Sequence, residues 1–85
     1  MFANIEKAVE ENDTHLLIES VILVGDIYYD GSNVANAVFA FNEARRMCEL
    51  LKITKFLPEI LIGIGNCCIR VKKYDYALLF FKKAL

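Results

Sequence analysis

The chain has 85 residues, of which 56% are hydrophobic and 25% are charged, and its formal net charge is −1. This length fits one small domain. The longest charge-free stretches, residues 31–42 and 60–69, are far shorter than the roughly 20 residues of a membrane-spanning helix, so we expect no membrane insertion. The sequence pI of about 5.7 argues against a nucleic-acid partner.

Charge is distributed unevenly along the chain. Residues 1–42 contain one lysine and seven carboxylates, a net charge of −6, whereas residues 43–85 contain nine cations and four carboxylates, a net charge of +5. This pattern is typical of two solvated faces. It also fits electrostatic complementarity between stacked copies or neighbouring units.

The first predicted element is a short packing or capping helix over residues 1–12. The polar run at residues 10–13 predicts its end. The segment carries Glu6 and lacks the basic start and apolar run of a signal peptide. A short amphipathic stripe indicates the helix: Phe2, Ile5, Ala8 and Val9.

Two longer helices follow, with a turn between them. The first is predicted over about residues 14–29, with Asp13 or Thr14 as its N-cap. The cluster at residues 30–33 predicts a turn whose Ser or Asn caps the next helix. That second helix is predicted over about residues 33–53, because its apolar residues recur at steps of three or four.

The last two predicted helices form a second pair. The third helix begins near Leu57 and Pro58, since proline is tolerated in a first helical turn, and ends near residue 71. A turn at residues 72–75 follows, with Asp75 as the predicted N-cap of the fourth helix.

A shift of 40 residues aligns the chain with itself, which indicates an internal repeat. The alignment divides the chain after the leading helix into two units, residues 13–53 and 54–85. Mid-helix glycine is tolerated where a neighbouring side chain needs the space, so we expect each helix pair to nest on its glycine. The aligned pairs are Val21 with Leu61, Val24 with Ile64, Gly25 with Gly65, Ala37 with Ala77, Phe41 with Phe81, and Ala44 with Ala84.

This spacing resembles the tetratricopeptide repeat. The first unit reads Val21-x-x-Val24-Gly25-x-x-Tyr28 and then Ala37-x-x-x-Phe41-x-x-Ala44, and the second unit repeats it from Leu61 to Ala84. The chain departs from the family in lacking its tryptophan, in having Cys68 at the second tyrosine, and in its period of 40.

The resemblance implies an all-α fold, an α-solenoid of two helical hairpins plus a short N-terminal helix. It also implies a function: a protein–protein interaction scaffold within a longer repeat protein or a multi-subunit complex. The alternative that we keep is a co-chaperone-type adaptor that binds a short peptide tail.

In the family, the first helix of each hairpin lines a concave groove that takes peptides. Only Asn66 matches the family's clamp for a terminal carboxylate, and the acidic and apolar lining favours a ligand with basic or apolar anchors. The groove positions implied by the resemblance are Glu19, Ile22, Asp26 and Tyr29 in the first unit and Glu59, Ile62, Asn66 and Ile69 in the second.

A second candidate surface lies on the outer face. Phe39, Leu50 and Leu79 stand apart from the main apolar stripes of their helices, which is a modest indication of a contact there.

Chemical motifs are absent from the sequence pattern. His15 is the only histidine, and Gly63-Ile64-Gly65 lacks the third glycine of a nucleotide loop. The three cysteines are odd in number and lack metal-ligand spacing, which fits a reducing, cytoplasmic setting. We therefore expect no enzyme activity, no metal and no cofactor, and a protein or peptide partner.

The final stretch, KKYDYALLFFKKAL, predicts a helix with an uncovered apolar side. Solenoids normally need about three or more units with polar caps, because one hairpin cannot bury both of its faces. We therefore expect the chain to continue beyond Leu85 into further repeats, or to dock its open face on another chain.

Overall fold

Four α-helices joined by short connections make up the structure. The computed structural model describes the backbone of residues 2–85 and the side chains of residues 13–85. The predicted all-α class is confirmed, since no strand occurs within residues 2–85. The helices are α1 (Phe2–Asp30), α2 (Val34–Leu51), α3 (Leu57–Arg70) and α4 (Tyr74–Ala84).

Each helix packs against the next one in the chain, and α1 also contacts α3. The core therefore lies between α1, α2 and α3, whereas α4 packs on α3 alone among the described residues. The buried apolar cluster is formed by Ile18, Ile22, Ala37, Phe41, Ala44, Cys48, Phe56, Ile60, Ile64 and Cys67.

The first helix differs from the prediction. A break was expected near residues 10–13, with Asp13 or Thr14 as an N-cap, but α1 is continuous from Phe2 to Asp30. Asparagine and aspartate cost only a few tenths of a kcal/mol in a helix interior (about 0.7 at most), and no proline or glycine stops the helix there. The predicted boundary between residues 12 and 13 thus falls inside α1, and the side chains of the predicted stripe over 2–9 lie outside the described residues.

The turns after α1 and α3 have the same backbone geometry, 40 residues apart. Ser32 and Lys72 both adopt φ of 64°, in the left-handed region. The amide of Asn33 donates to the carbonyl of Tyr28, and the amide of Lys73 donates to the carbonyl of Cys68. The sequence repeat is therefore a repeat of local structure as well.

Helix starts follow the sequence in two cases and depart from it in a third. Asn33 is the N-cap of α2, and its side chain accepts a hydrogen bond from the Asn36 amide at 3.4 Å. Pro58 lies in the first turn of α3, as predicted. The predicted cap Asp75 is wrong, because α4 begins at Tyr74 with Lys73 as its N-cap and no side-chain cap bond.

Two glycines hold the ring of Phe41 between neighbouring helices. A Cβ added at Gly25 of α1 or at Gly63 of α3 would lie 2.8 Å from Cε1 of Phe41. In the second hairpin, a Cβ at Gly65 would lie 2.6 Å from Cε1 of Phe81. The expectation that the mid-helix glycines make room for a large side chain is confirmed.

The link between α2 and α3 is fixed by Phe56. Its side chain is buried, with the His15 ring edge-on at a centroid distance of 5.9 Å and the Lys55 ammonium 4.9 Å from its centroid. The second hairpin is thereby attached to α1 as well as to α2.

Candidate protein-interaction surfaces

The predicted concave positions on α1 divide into exposed and buried residues. Glu19 and Asp26 are exposed, and Tyr29 is half-buried. Ile22 is only 4% exposed and belongs to the core cluster, so it does not line an accessible groove. Its burial could not be read from the repeat motif, because it arises from the contact of α1 with α2 and α3.

The predicted concave positions on α3 are more open. Ile62 is 46% exposed and Ile69 is 43% exposed, Glu59 is exposed, and Asn66 is half-buried. These side chains therefore present apolar and polar groups on one helix, without a basic residue among them.

Acidic charge concentrates near the end of α1. Burial raises the pKa of Asp26, and the nearby carboxylate of Asp30 raises it further. The charge of Asp26 also raises the pKa of Cys67 on α3, after burial as the main cause, which indicates that this side of α1 adjoins α3.

Arg70 joins the two hairpins, and the sequence analysis missed it. Its Nη1 donates to the Tyr29 carbonyl at 3.0 Å and to the Ser32 Oγ at 3.4 Å. Its guanidinium also stacks over the Tyr29 ring, 4.3 Å from the centroid. The equivalent position in the first unit is Asp30, so the 40-residue comparison gave no signal for this contact.

The three predicted outer-face residues are all exposed, and they lie on two helices. Phe39 lines a groove between α1 and α2, whereas Leu50 lies near the end of α2 and Leu79 lies on α4. The groove has a volume of about 670 Å³. Its lining is mostly apolar: Leu17, Ser20, Val21, Val24, Tyr28, Asn36, Phe39, Ala40, Glu43 and Met47.

A wide apolar side of α1 continues from this groove. Leu16 and Ile27 are 59% and 62% exposed, and at 100° per residue they share one side of the helix with the groove residues. We call this surface the leading face, and it comprises the exposed side chains of Leu16, Leu17, Leu23, Val24 and Ile27.

The equivalent side of α3 is buried. Forty residues after Val24 and Ile27 stand Ile64 and Cys67, which are 2% and 0% exposed because they pack on the first hairpin. The same positions on the two helices are thus apolar in both hairpins and covered in only one.

At the other end, the second hairpin leaves apolar groups uncovered. We call this surface the trailing face. It comprises four exposed or half-buried side chains: Ile62, Ile69, Leu78 and Phe81. Their counterparts in the first hairpin, Ile22, Tyr29, Val38 and Phe41, are in the core cluster or pack against it.

The thiols of the chain are protected rather than activated. Cys48, Cys67 and Cys68 are free cysteines, and burial is the main cause that raises the pKa of each. A raised thiol pKa keeps the sulfur protonated and weakly nucleophilic. The described residues contain no cluster of three His, Cys, Asp or Glu side chains placed to hold a metal ion.

None of the four helices, over the residues described, combines the length and the hydrophobicity that crossing a bilayer requires. Comparisons with protein-family models, with curated proteins and with solved structures found no match. Any functional conclusion therefore rests on the structure of the chain itself.

Proposed function

We propose that this chain is a protein–protein interaction scaffold module, with its two hairpins stacked as in a tetratricopeptide-type α-solenoid. One observation carries the proposal: the leading face of α1 is apolar and exposed, while the equivalent side of α3 is buried against a neighbouring hairpin. Contiguous apolar surface of this kind marks interaction sites in soluble proteins.

The local repeat supports the stacked arrangement. The turns match over 40 residues in φ and in hydrogen bonding, and each hairpin seats a phenylalanine on a glycine of its own first helix. The free thiols favour a reducing compartment such as the cytoplasm, where disulfides are rare. The proposal assigns no enzymatic activity and no cofactor to the chain.

Affinity purification with matched variants tests the scaffold function. The chain should retain a partner protein at fixed stoichiometry, and Ile27→Glu should abolish retention because it places a charge in the apolar contact. Leu51→Glu changes an exposed apolar residue outside the leading face and outside the predicted outer-face set, and it should leave retention unchanged. Retention that is insensitive to Ile27→Glu, or no stoichiometric partner at all, would contradict the proposal.

The second candidate is a peptide-binding adaptor. It is favoured by the exposure of Ile62 and Ile69 on the same helix as Glu59 and Asn66, and by the exposed carboxylate of Asp26 on α1. An adaptor would release its partner when a free terminal peptide is added, and replacing Asp26 and Asn66 together would abolish binding. A scaffold complex resists the peptide and survives the double replacement.

A further inference from the structure

We infer that the partner of the leading face is the trailing face of a second copy of this chain, so that copies stack head to tail. This inference rests on the proposed scaffold function, since it names the partner of the same surface. The template is the junction inside the molecule, where α3 packs on α2 and α1.

The positions used at the internal junction recur at both ends of the chain. In the internal junction, Ile64 and Cys67 of α3 are buried with Phe41 of the first hairpin. Their equivalents are Val24 and Ile27 at the leading face and Phe81 at the trailing face. Each end therefore presents one half of an interface that the molecule already forms once.

Charge favours this pairing over a pairing of two leading faces. No lysine or arginine occurs between Lys7 and Arg45, and at 100° per residue Glu19, Asp26 and Asp30 lie along one edge of the apolar side of α1 while Asp13 lies within it. Two such helices would repel each other. The helix of the trailing face, α4, instead ends in Lys82 and Lys83, which are exposed, so opposite charges meet in the head-to-tail arrangement.

One residue makes the junction between copies looser than the junction within a copy. Gly63 leaves room for the Phe41 ring to pack closely against α3, but Leu23 stands at the equivalent position of α1. Phe81 cannot approach α1 as closely as Phe41 approaches α3. We therefore expect reversible association that weakens as salt screens the charges, rather than a permanent assembly.

Head-to-tail contacts are heterologous, so each added copy leaves a free face and association continues past the dimer, which gives a distinctive signature. In sedimentation velocity, the weight-average mass of the wild-type chain should rise with concentration past the dimer. Leu23→Gly should shift this rise to lower concentration by providing the missing room. Leu51→Gly removes an exposed leucine outside all of the candidate surfaces and should cause no such shift.

Two blocked variants test the polarity of the contact. Ile27→Glu closes the leading face and Leu78→Glu closes the trailing face, and both positions are more than half exposed, so circular dichroism should show unchanged helix content. Each variant alone should be monomeric, and an equimolar mixture should form a heterodimer and nothing larger. Dimers of Leu78→Glu alone would reveal pairing of leading faces and would overturn the inference.

These experiments distinguish a failure of self-stacking from a failure of the proposed scaffold function. A wild-type chain that stays monomeric at all accessible concentrations overturns the inference. If that monomer still retains a different protein through Ile27, the proposed function stands without self-stacking. If neither contact forms, both proposals fail.

Discussion

The ring of Phe41 shows how single residues determine the distance between helices. It is buried and lies between Gly25 on one side and Gly63 on the other, so a methyl group added on either side has no room. Among the glycines only Gly65 lies against the ring of Phe81, and this ring is half-buried rather than enclosed. The glycine–phenylalanine pair of the second hairpin should therefore tolerate a side chain at its glycine better than the pair of the first hairpin does.

We expect Gly63→Ala to lower the free energy of unfolding by about 1–3 kcal/mol, the usual effect of overpacking. Alanine favours the helix over glycine by about 1 kcal/mol, so a net loss of stability would have to come from steric overlap of the added methyl group with the Phe41 ring. The control is Gly31→Ala, where the nearest atom to a Cβ is the Ile27 carbonyl oxygen at 3.5 Å and φ is not positive. Urea denaturation measures the free energy of unfolding of both variants. Equal stabilisation by the two substitutions would contradict the close packing of Phe41 against Gly63.

The carboxyl of Asp26 should destabilise the fold near neutral pH. Burial and Asp30 raise its pKa in the folded chain, so the fold favours the protonated carboxyl. The resulting stability is present below the unfolded pKa and is lost as the pH rises through the folded pKa. Asp26→Asn, which keeps the neutral shape, should therefore stabilise the protein near neutral pH, and the difference from wild type should vanish in acid.

Thermal unfolding across this pH range measures the effect. Glu19→Gln removes a negative charge from an exposed site on the same helix and serves as the control. A pH-independent gain from Asp26→Asn would show that the carboxyl is not responsible.

Because the two hairpins are equivalent, the start of α2 serves as a reference for the start of α4. Asn33 and Lys73 are equivalent N-cap residues with nearly the same backbone, φ −91° and ψ 71° against φ −96° and ψ 66°. Only Asn33 has a side chain that accepts a bond from the helix it starts. The second hairpin therefore lacks a cap that the first one has.

Lys73→Asn should cap α4 and raise the free energy of unfolding by about 0.5 kcal/mol, the low end for an N-cap because the reference bond is long at 3.4 Å. Asn33→Ala should lower it by a similar amount. Calorimetry on the two variants compares them directly, and a destabilised Lys73→Asn would show that the equivalence of the turns does not extend to their caps.

Helices and turns could be predicted from the sequence because their determinants are local. Apolar spacing located α2, α3 and most of α4, and the cluster ending in Asn33 located a turn and its cap. The continuity of α1 was missed, since polar residues resemble an end signal although they do not stop a helix. Gly63 was missed because its partner in the repeat alignment is Leu23, which hides its steric role.

The candidate surfaces were less predictable, because exposure depends on neighbouring helices. The apolar patterns of α1 and α3 are alike, yet Cys67 of α3 is buried and its equivalent on α1, Ile27, is exposed. The repeat motif placed Ile22 on an open groove, but α2 and α3 cover it. Periodicity indicates that a side of a helix can be buried, and only the assembled fold indicates whether it is.

The whole molecule should have a gradient of local stability, because its helices differ in how many neighbours hold them. Helix α3 packs on α1, α2 and α4, whereas α4 packs on α3 alone among the described residues. Amides of α4 should therefore exchange with solvent fastest and those of α3 slowest, since local opening is easiest where few contacts are lost. Hydrogen exchange followed by mass spectrometry measures this order, and Leu78→Glu provides a chain in which stacking cannot add protection. Protection of α4 that equals that of α3 in this variant would contradict the gradient, whereas protection of α4 that rises with concentration in wild type alone would assign the increase to the trailing face.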